Sequence, residues 1–163
     1  MTTTQPVHTK LEGGNDLETA INSVISQARR YLRIFDYNLS EGGYNSPDRF
    51  ELLRNFLLLS RANRLDMMLH ETDHLTRYCP RMIILLQQFS HAIRINKISP
   101  EAKGIDDPFI IADESHYVHR FHYNNPRALL GLNDNPGALK LSQRFTEIWD
   151  TSTPSTFATT LGL

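Results

Sequence analysis

The sequence has little of what marks secreted or membrane proteins. Its only cysteine among 163 residues, Cys79, cannot form an internal disulfide, which fits a reducing compartment. Its longest apolar runs, Phe56–Leu59 and Met82–Leu86, are much shorter than a membrane span. Residues 1–6 also lack the basic and apolar regions of a signal peptide. We therefore expect a cytoplasmic protein with no membrane partner.

An excess of positive charge is also missing. The 17 Lys and Arg residues face 18 Asp and Glu residues, which leaves a net charge of -1. Because binding to a phosphate backbone depends on clustered basic residues, this balance predicts no nucleic-acid partner. The local groups Arg29, Arg30 and Arg33, and Arg77 and Arg81, retain the chemistry to bind one small anion. No glycine-rich phosphate loop occurs, so we expect no nucleotide cofactor.

Length and patterning predict one domain of the α/β class. Residues 1–15 are polar and predicted to be disordered, and residues 16–163 form the domain, with a tail from 151 whose apolar end, Leu161–Leu163, is available for docking. Helical and strand patterns alternate in the order α-β-α-β-α-β-β-β-α, which favours a mixed, largely parallel sheet flanked by helices. The predicted elements are helices from Asp16, Ser46, Pro80 and Asn135, strands at 31–37, 65–69 and 92–98, and a hairpin at 106–123.

The hairpin holds three of the seven histidines. Because side chains alternate along a strand, His116, Arg120 and His122 share one face and His119 points to the other. Three histidines therefore cannot converge on one metal ion from this strand, and we expect no bound metal. Arg120 has the planar guanidinium that suits a carboxylate or phosphate group. The alternatives are a metal site and a buried or interfacial network.

Acidic residues supply the partners for such a network. Arg120 has candidate partners in Asp113, Asp106 and Asp36, the last of which lies near the end of the first predicted strand. Paired carboxylates also suit acid–base chemistry when one of them is desolvated, although most cap turns.

The segment from His70 to His74, with Glu71 between them, matches the zinc-protease pattern His-Glu-x-x-His. That chemistry needs both histidines on one helical face. Here His70 follows a predicted strand, so the pattern indicates a strand-to-helix loop instead. Loops beyond the carboxyl ends of strands are where open α/β sheets bind ligands, so His70, Glu71 and His74 remain candidate ligand-binding residues.

The element order, with a strand hairpin followed by the string from Arg144 to Ser152, resembles one half-domain of the phospholipase D superfamily. Catalytic members carry His-x-Lys-x-x-x-x-Asp, in which histidine attacks phosphorus and two half-domains complete one site. Aligning that aspartate with Asp113 puts Asp106 and Pro108 at the histidine and lysine positions. The resemblance thus implies the scaffold and a homodimer, but a degenerate site without that chemistry.

Three shorter strings are similar to an uncharacterised proteobacterial domain family, some members of which are joined to an acetyltransferase domain. The strings are Tyr78–Arg81, Phe89–Ile93 and His119–His122.

We therefore predict a non-catalytic, homodimeric binding domain that recognises an anionic ligand or a protein partner, with Arg120 as its anchor. One alternative is a metal-dependent hydrolase that uses His70, His74 and a hairpin histidine. Another is a purely structural interaction protein. The predicted ligand-binding residues are Arg120, His116, His122, Asp113, His70, Glu71, His74 and Asp36.

Overall fold

One mixed sheet of eight strands runs through the computed structural model, which describes residues 5–155. In this range the strands are β1 (Val7–Leu11), β2 (Tyr31–Asp36), β3 (Arg64–Leu69), β4 (Ile93–Lys97), β5 (Phe109–Ala112), β6 (His116–His122), β7 (Asn125–Leu132) and β8 (Thr153–Pro154). The helices are α1 (Gly14–Gln27), α2 (Pro47–Leu59), α3 (Asp73–Tyr78), α4 (Pro80–Gln88) and α5 (Asn135–Thr151), with a single 3₁₀ turn at Pro100–Ala102.

The predicted α/β class is confirmed, but the sheet is less parallel than predicted. The strand order is β1-β7-β6-β5-β2-β3-β4-β8. Only the central pairs β2–β3 and β3–β4 of the described sheet are parallel. The remaining neighbours are antiparallel. For β5, β6 and β7 the reason is that they follow one another through short turns and not through crossover helices.

Three strands go beyond the predicted order. β1 lies within the segment predicted to be disordered, and it pairs with β7 from Val7 opposite Leu132 to Leu11 opposite Ala128. β7 itself and the short β8 are the others. The disorder prediction for residues 1–15 is therefore wrong for β1, since its backbone is paired in the sheet. The predicted docking of Leu161–Leu163 lies outside the described residues.

Local capping explains where the helices begin. Ser46 caps α2 by accepting a hydrogen bond from the Arg49 N–H at 3.1 Å, as the sequence predicts. Pro80 separates α3 from α4, which confirms the predicted break. Asp134 caps α5 through the Gly137 N–H, one residue before the predicted start. No helix of the described residues is long and apolar enough to cross a membrane.

Apolar residues on both faces of the sheet bury two cores. Alternation along β2 sends Leu32 and Ile34 toward α1, α2 and α4, and Phe35 toward α5. β3 repeats this division with Met67 and Met68. The loops after β2 and β3, the start of β5 and the end of β6 then meet at one edge of the sheet, because β5 is antiparallel to β2 and β6 to β5.

Candidate functional site

A polar cleft with a volume of about 110 Å³ lies at this edge, beyond the carboxyl ends of β2 and β6. The end of β2 and the following turn form one wall, and the end of the hairpin forms the other. The lining residues are Asp36, Tyr37, Asn38, Ser40, Glu41, Arg120, Tyr123 and Asn124.

Asp36 is the buried acid of the cleft. It is 5 % exposed, and its Oδ1 accepts the Tyr37 N–H at 2.6 Å. Burial raises the pKa of Asp36 to about 6, although the Arg120 charge and the backbone N–H groups of Tyr37, Asn38 and Leu39 act in the opposite direction. The carboxyl group therefore changes charge near neutral pH.

Arg120 is equally buried, at 4 % exposure, and turns toward the backbone. Its Nη2 donates to the Tyr123 carbonyl at 2.6 Å and to the Asn125 carbonyl at 3.3 Å. Its Nε has no hydrogen-bond partner among the described residues. Arg120 is buried as one alternative predicted, but among the described residues it forms no ion pair with Asp113, Asp106 or Asp36. The side chain instead holds the turn between β6 and β7, next to a bulge in their pairing.

Stacked rings form the side of the cleft. Tyr37 lies between Tyr123, at 4.4 Å between ring centroids, and His70, at 4.9 Å. The His122 ring stacks on Tyr123, with 4.5 Å between the two ring centroids. The His70 Nε2 donates to the Ile105 carbonyl at 2.9 Å, and burial lowers the pKa of His70. Burial thus favours the neutral form of His70, whose Nε2 points to the Ile105 carbonyl beside the tyrosines.

Carboxylates outnumber cations around the cleft. Glu71 accepts a hydrogen bond from the Asn38 amide at 3.3 Å, and Asp106 lies 3.9 Å from the His122 ring nitrogen. Together with Asp36 and Glu41, Glu71 and Asp106 make four acidic groups in and around the cleft. The basic residues there are Arg120 and Lys103, and Lys103 lies near His70. The structure therefore brings together five of the predicted site residues, namely Asp36, His70, Glu71, Arg120 and His122.

His74 does not join a metal site with His70. His74 lies within α3, where its ring packs against Tyr78 at 5.1 Å, whereas His70 lies before that helix. The two are therefore not on one helical face, as the pattern analysis predicts. In the range 5–155 no group of three or more His, Cys, Asp or Glu side chains is arranged to hold a metal ion. The proposed hydrolase set is not assembled.

Asp113 and His116 lie at the opposite edge of the sheet, which corrects their grouping with Arg120. Because β5 and β6 form a hairpin, its turn is one strand length away from the cleft. The Asp113 carboxylate accepts the N–H groups of Arg29, Arg30 and Tyr31 at 2.8–3.0 Å, and its φ of 56° fits a turn. His116 Nδ1 accepts the Asn133 N–H at 3.1 Å. Both residues hold connections between elements.

An ion-pair cluster on the α5 side was not predicted. Asp107 accepts two hydrogen bonds from Arg144, at 2.7 and 3.0 Å, and a third from His119 at 2.7 Å. Burial favours a higher pKa, but the hydrogen bonds from His119 and Arg144 outweigh it and lower the pKa of Asp107. His119 thus lies on the face of β6 opposite to Arg120, as predicted from the alternation of side chains. Tyr37 and Tyr123, whose rings form the side of the cleft, were not predicted either. The sequence signal that could have identified them is their position directly after a strand.

The positions aligned with the catalytic pair lie at the cleft edge. The Asp106 carbonyl accepts the Tyr123 N–H at 2.9 Å, and the Pro108 carbonyl accepts the Arg120 N–H at 2.8 Å. The segment directly before β5 thus places an aspartate and a proline at this edge.

The sequence matches the family described as "Domain of unknown function (DUF7931)" over residues 14–161. No curated protein matches the sequence significantly.

Solved structures share the fold at low sequence identity. TrmBL2, an archaeal chromatin protein with a novel mode of DNA binding, has a TM-score of 0.68 at 13% identity; the alignment covers 91% of this chain and 54% of that one. Nuc from Salmonella typhimurium, a phospholipase D family member, has a TM-score of 0.65 at 15% identity, covering 93% and 99%. NucT from Helicobacter pylori gives 0.65 at 15%, covering 93% and 100%.

These likenesses confirm the phospholipase D-like fold. They also contradict the prediction that excludes a nucleic-acid partner, because a DNA-binding protein is among the structures that share this fold. Net charge over the whole chain was a poor basis for that prediction, since it hides local clusters of one sign.

Proposed function

Because the chain belongs to the DUF7931 family of domains of unknown function, we infer its role from its own site and propose a binding domain without phosphodiester chemistry. The observation that carries this proposal is the edge of the cleft, where Asp106 and Pro108 stand at the positions that the phospholipase D resemblance assigns to histidine and lysine. Neither residue supplies the nucleophile or the phosphate-binding cation of that mechanism.

The chemistry of the cleft favours a cationic group over an anion. An anion entering the cleft meets Glu41, while Glu71 lies next to it, bonded to the lining residue Asn38. Arg120 already donates to two carbonyls. A cation meets the carboxyl groups of Asp36 and Glu41, which attract ammonium and guanidinium groups. We therefore propose an amine or guanidinium ligand, on a small molecule or on a Lys or Arg of a protein partner, in place of the anion anchored by Arg120.

Self-association is part of the proposal. In the phospholipase D superfamily two half-domains complete one site, and Nuc, which this chain covers almost in full, is about the length of one such domain. A homodimer that pairs the cleft edges fits that precedent. The association with an acetyltransferase domain, the cytoplasmic location and a purely structural role stay predictions.

Two measurements test the proposal. We expect spermidine to raise the melting temperature of the wild type, and the increase to be lost in Glu71→Gln and retained in the exposed control Glu51→Gln. We also expect bis(p-nitrophenyl) phosphate to be hydrolysed no faster than in buffer. If the protein hydrolyses this substrate and Asp106→Ala abolishes the hydrolysis, the binding proposal is overturned. If inorganic phosphate stabilises the protein through Arg120, the prediction of an anion-binding site replaces the proposed cationic ligand. If light scattering shows that the protein is a monomer, the proposed homodimer is wrong.

A further inference from the structure

A second pocket, of about 360 Å³, lies at the amino ends of β2 and β3, at the opposite edge of the sheet from the cleft. Two loops form it: the one between α1 and β2 and the one between α2 and β3. The Arg64 N–H donates to the Arg30 carbonyl at 3.1 Å and so joins the two loops. The lining residues are Arg29, Arg30, Tyr31, Ser60, Ala62 and Asn63.

The pocket is positively charged. Arg61 and Arg64 flank it along the chain, and the Arg64 Nη1 lies against the Arg61 and Asn63 carbonyls at 2.7 and 2.9 Å. The arginines that pair with carboxylates in the described residues are Arg94, Arg127 and Arg144, none of which lines it. Arg29 and Arg30 line the pocket and Arg61 and Arg64 lie beside it along the chain, and none of these four arginines pairs with a carboxylate of the described residues.

The negative charges near the pocket sum to less than the positive charge of the four arginines. Asp113 lies beside the pocket and is held by three backbone N–H groups, and Glu114 follows it in the hairpin turn. The carboxyl ends of α1 and α2 also point to this edge, and each is equivalent to about half a negative charge. Four arginines exceed the sum of these terms by about one unit. Arg33 is not counted, since it lies in a separate pocket with Glu114 and Glu147.

An exposed aromatic ring completes the pocket. Tyr31 is 44% exposed, and the Arg33 guanidinium lies 5.3 Å from its ring centroid. A tyrosine ring beside several arginines is the combination that binds single-stranded nucleic acids, since the ring stacks on a base and the guanidinium groups contact phosphates.

We propose that this pocket binds the phosphate groups of a single-stranded nucleic acid. The arginines lie on two loops and so reach more than one phosphate, which a polymer supplies and a single phosphate ion does not. The inference is independent of the proposed cleft ligand, because the two sites share no lining residue.

The test uses fluorescence anisotropy of a labelled single-stranded oligonucleotide with the full chain. Arg29→Ala with Arg30→Ala removes two pocket charges but keeps the backbone N–H groups that Asp113 binds. Arg77→Ala with Arg81→Ala removes the same charge from exposed positions in α3 and α4. We expect the pocket variant to weaken binding roughly tenfold or more and to reduce the salt slope by about 1.4, and the control to change binding much less.

Tyr31 separates a nucleic acid from other phosphate ligands. Tyr31→Ala should weaken oligonucleotide binding roughly tenfold, and Tyr31→Phe should retain it, because stacking needs the ring alone. Equal losses in the pocket and control pairs would overturn the proposal, since they indicate non-specific attraction. If the oligonucleotide binds no more tightly than inorganic phosphate, the assignment of a polymeric ligand is overturned. It is also overturned if the protein binds anionic lipid vesicles and not the oligonucleotide. Unfolding curves of each variant establish that the fold is intact.

Discussion

Asp36 and Arg120 are buried side by side, yet they form no direct ion pair. Each is about 5 % exposed or less, and the charge of Arg120 acts on the Asp36 carboxyl group. The guanidinium instead donates to the Tyr123 and Asn125 carbonyls, and the carboxylate accepts the Tyr37 N–H. Two opposite charges in one buried region thus depend on each other without a shared hydrogen bond.

Removing Arg120 should therefore destabilise the fold and not leave it intact. Arg120→Ala deprives two carbonyls of their donor and leaves Asp36 without a nearby positive charge, which we expect to cost about 2–4 kcal/mol in the free energy of unfolding. Urea unfolding at pH 7 measures this. Asp36→Asn in the same background should recover part of the loss, and the exposed Arg127→Ala provides the control. Additive effects of the two substitutions would contradict the coupling.

The raised pKa of Asp36 predicts a stability that falls as pH rises. An unfolded aspartate ionises near pH 3.9, whereas Asp36 in the folded chain ionises at about 6. Between these values the folded state binds the extra proton, so the wild type loses roughly 2–3 kcal/mol relative to Asp36→Asn from pH 4 to pH 7. The difference between the two unfolding curves isolates this group. An unchanged difference over that range would contradict it.

Asp107 should show the opposite dependence. Because Arg144 and His119 lower its folded pKa, its contribution is present above the unfolded pKa, near pH 4, and disappears as pH falls through the folded value. Asp107→Asn should cost roughly 1–2 kcal/mol at pH 6 and progressively less below pH 4. Guanidinium unfolding across pH 2–6 measures the effect, and Arg144→Met should reproduce it. A loss that stays constant on acidification would assign the effect to packing alone.

The central elements could be predicted because their signals are local. The Ser46–Pro47 start of α2, the break at Pro80 and the hairpin after Asp106 each depend on residues near in sequence. β1 and β7 could not, because their identity as strands depends on their partners in the sheet: β1 pairs with β7, and β7 also pairs with β6. β7 also contains Gly131, which the Tyr117 ring requires: a Cβ there would lie 2.3 Å from it.

The site was predicted only where strand direction was known. Asp36, His70 and Glu71 follow parallel strands, so their meeting could be expected from the sequence. Asp113 was grouped with Arg120 because both belong to the hairpin. Asp113, however, lies in the turn of the hairpin, at the opposite edge of the sheet from Arg120. The local alternation placed side chains on faces correctly, whereas the end of the sheet at which each residue lies depends on tertiary topology.

The central strand β2 fixes the separation of the two proposed sites. It begins at Tyr31, beside the arginine pocket, and ends at Asp36, in the cleft. At about 3.3 Å per residue, these ends are about 16 Å apart, roughly two Debye lengths at physiological salt. At that distance, occupancy of one end has little electrostatic effect on the other. On the two proposals, six residues of backbone separate the cationic group from the phosphate chain, and the domain binds both at the same time.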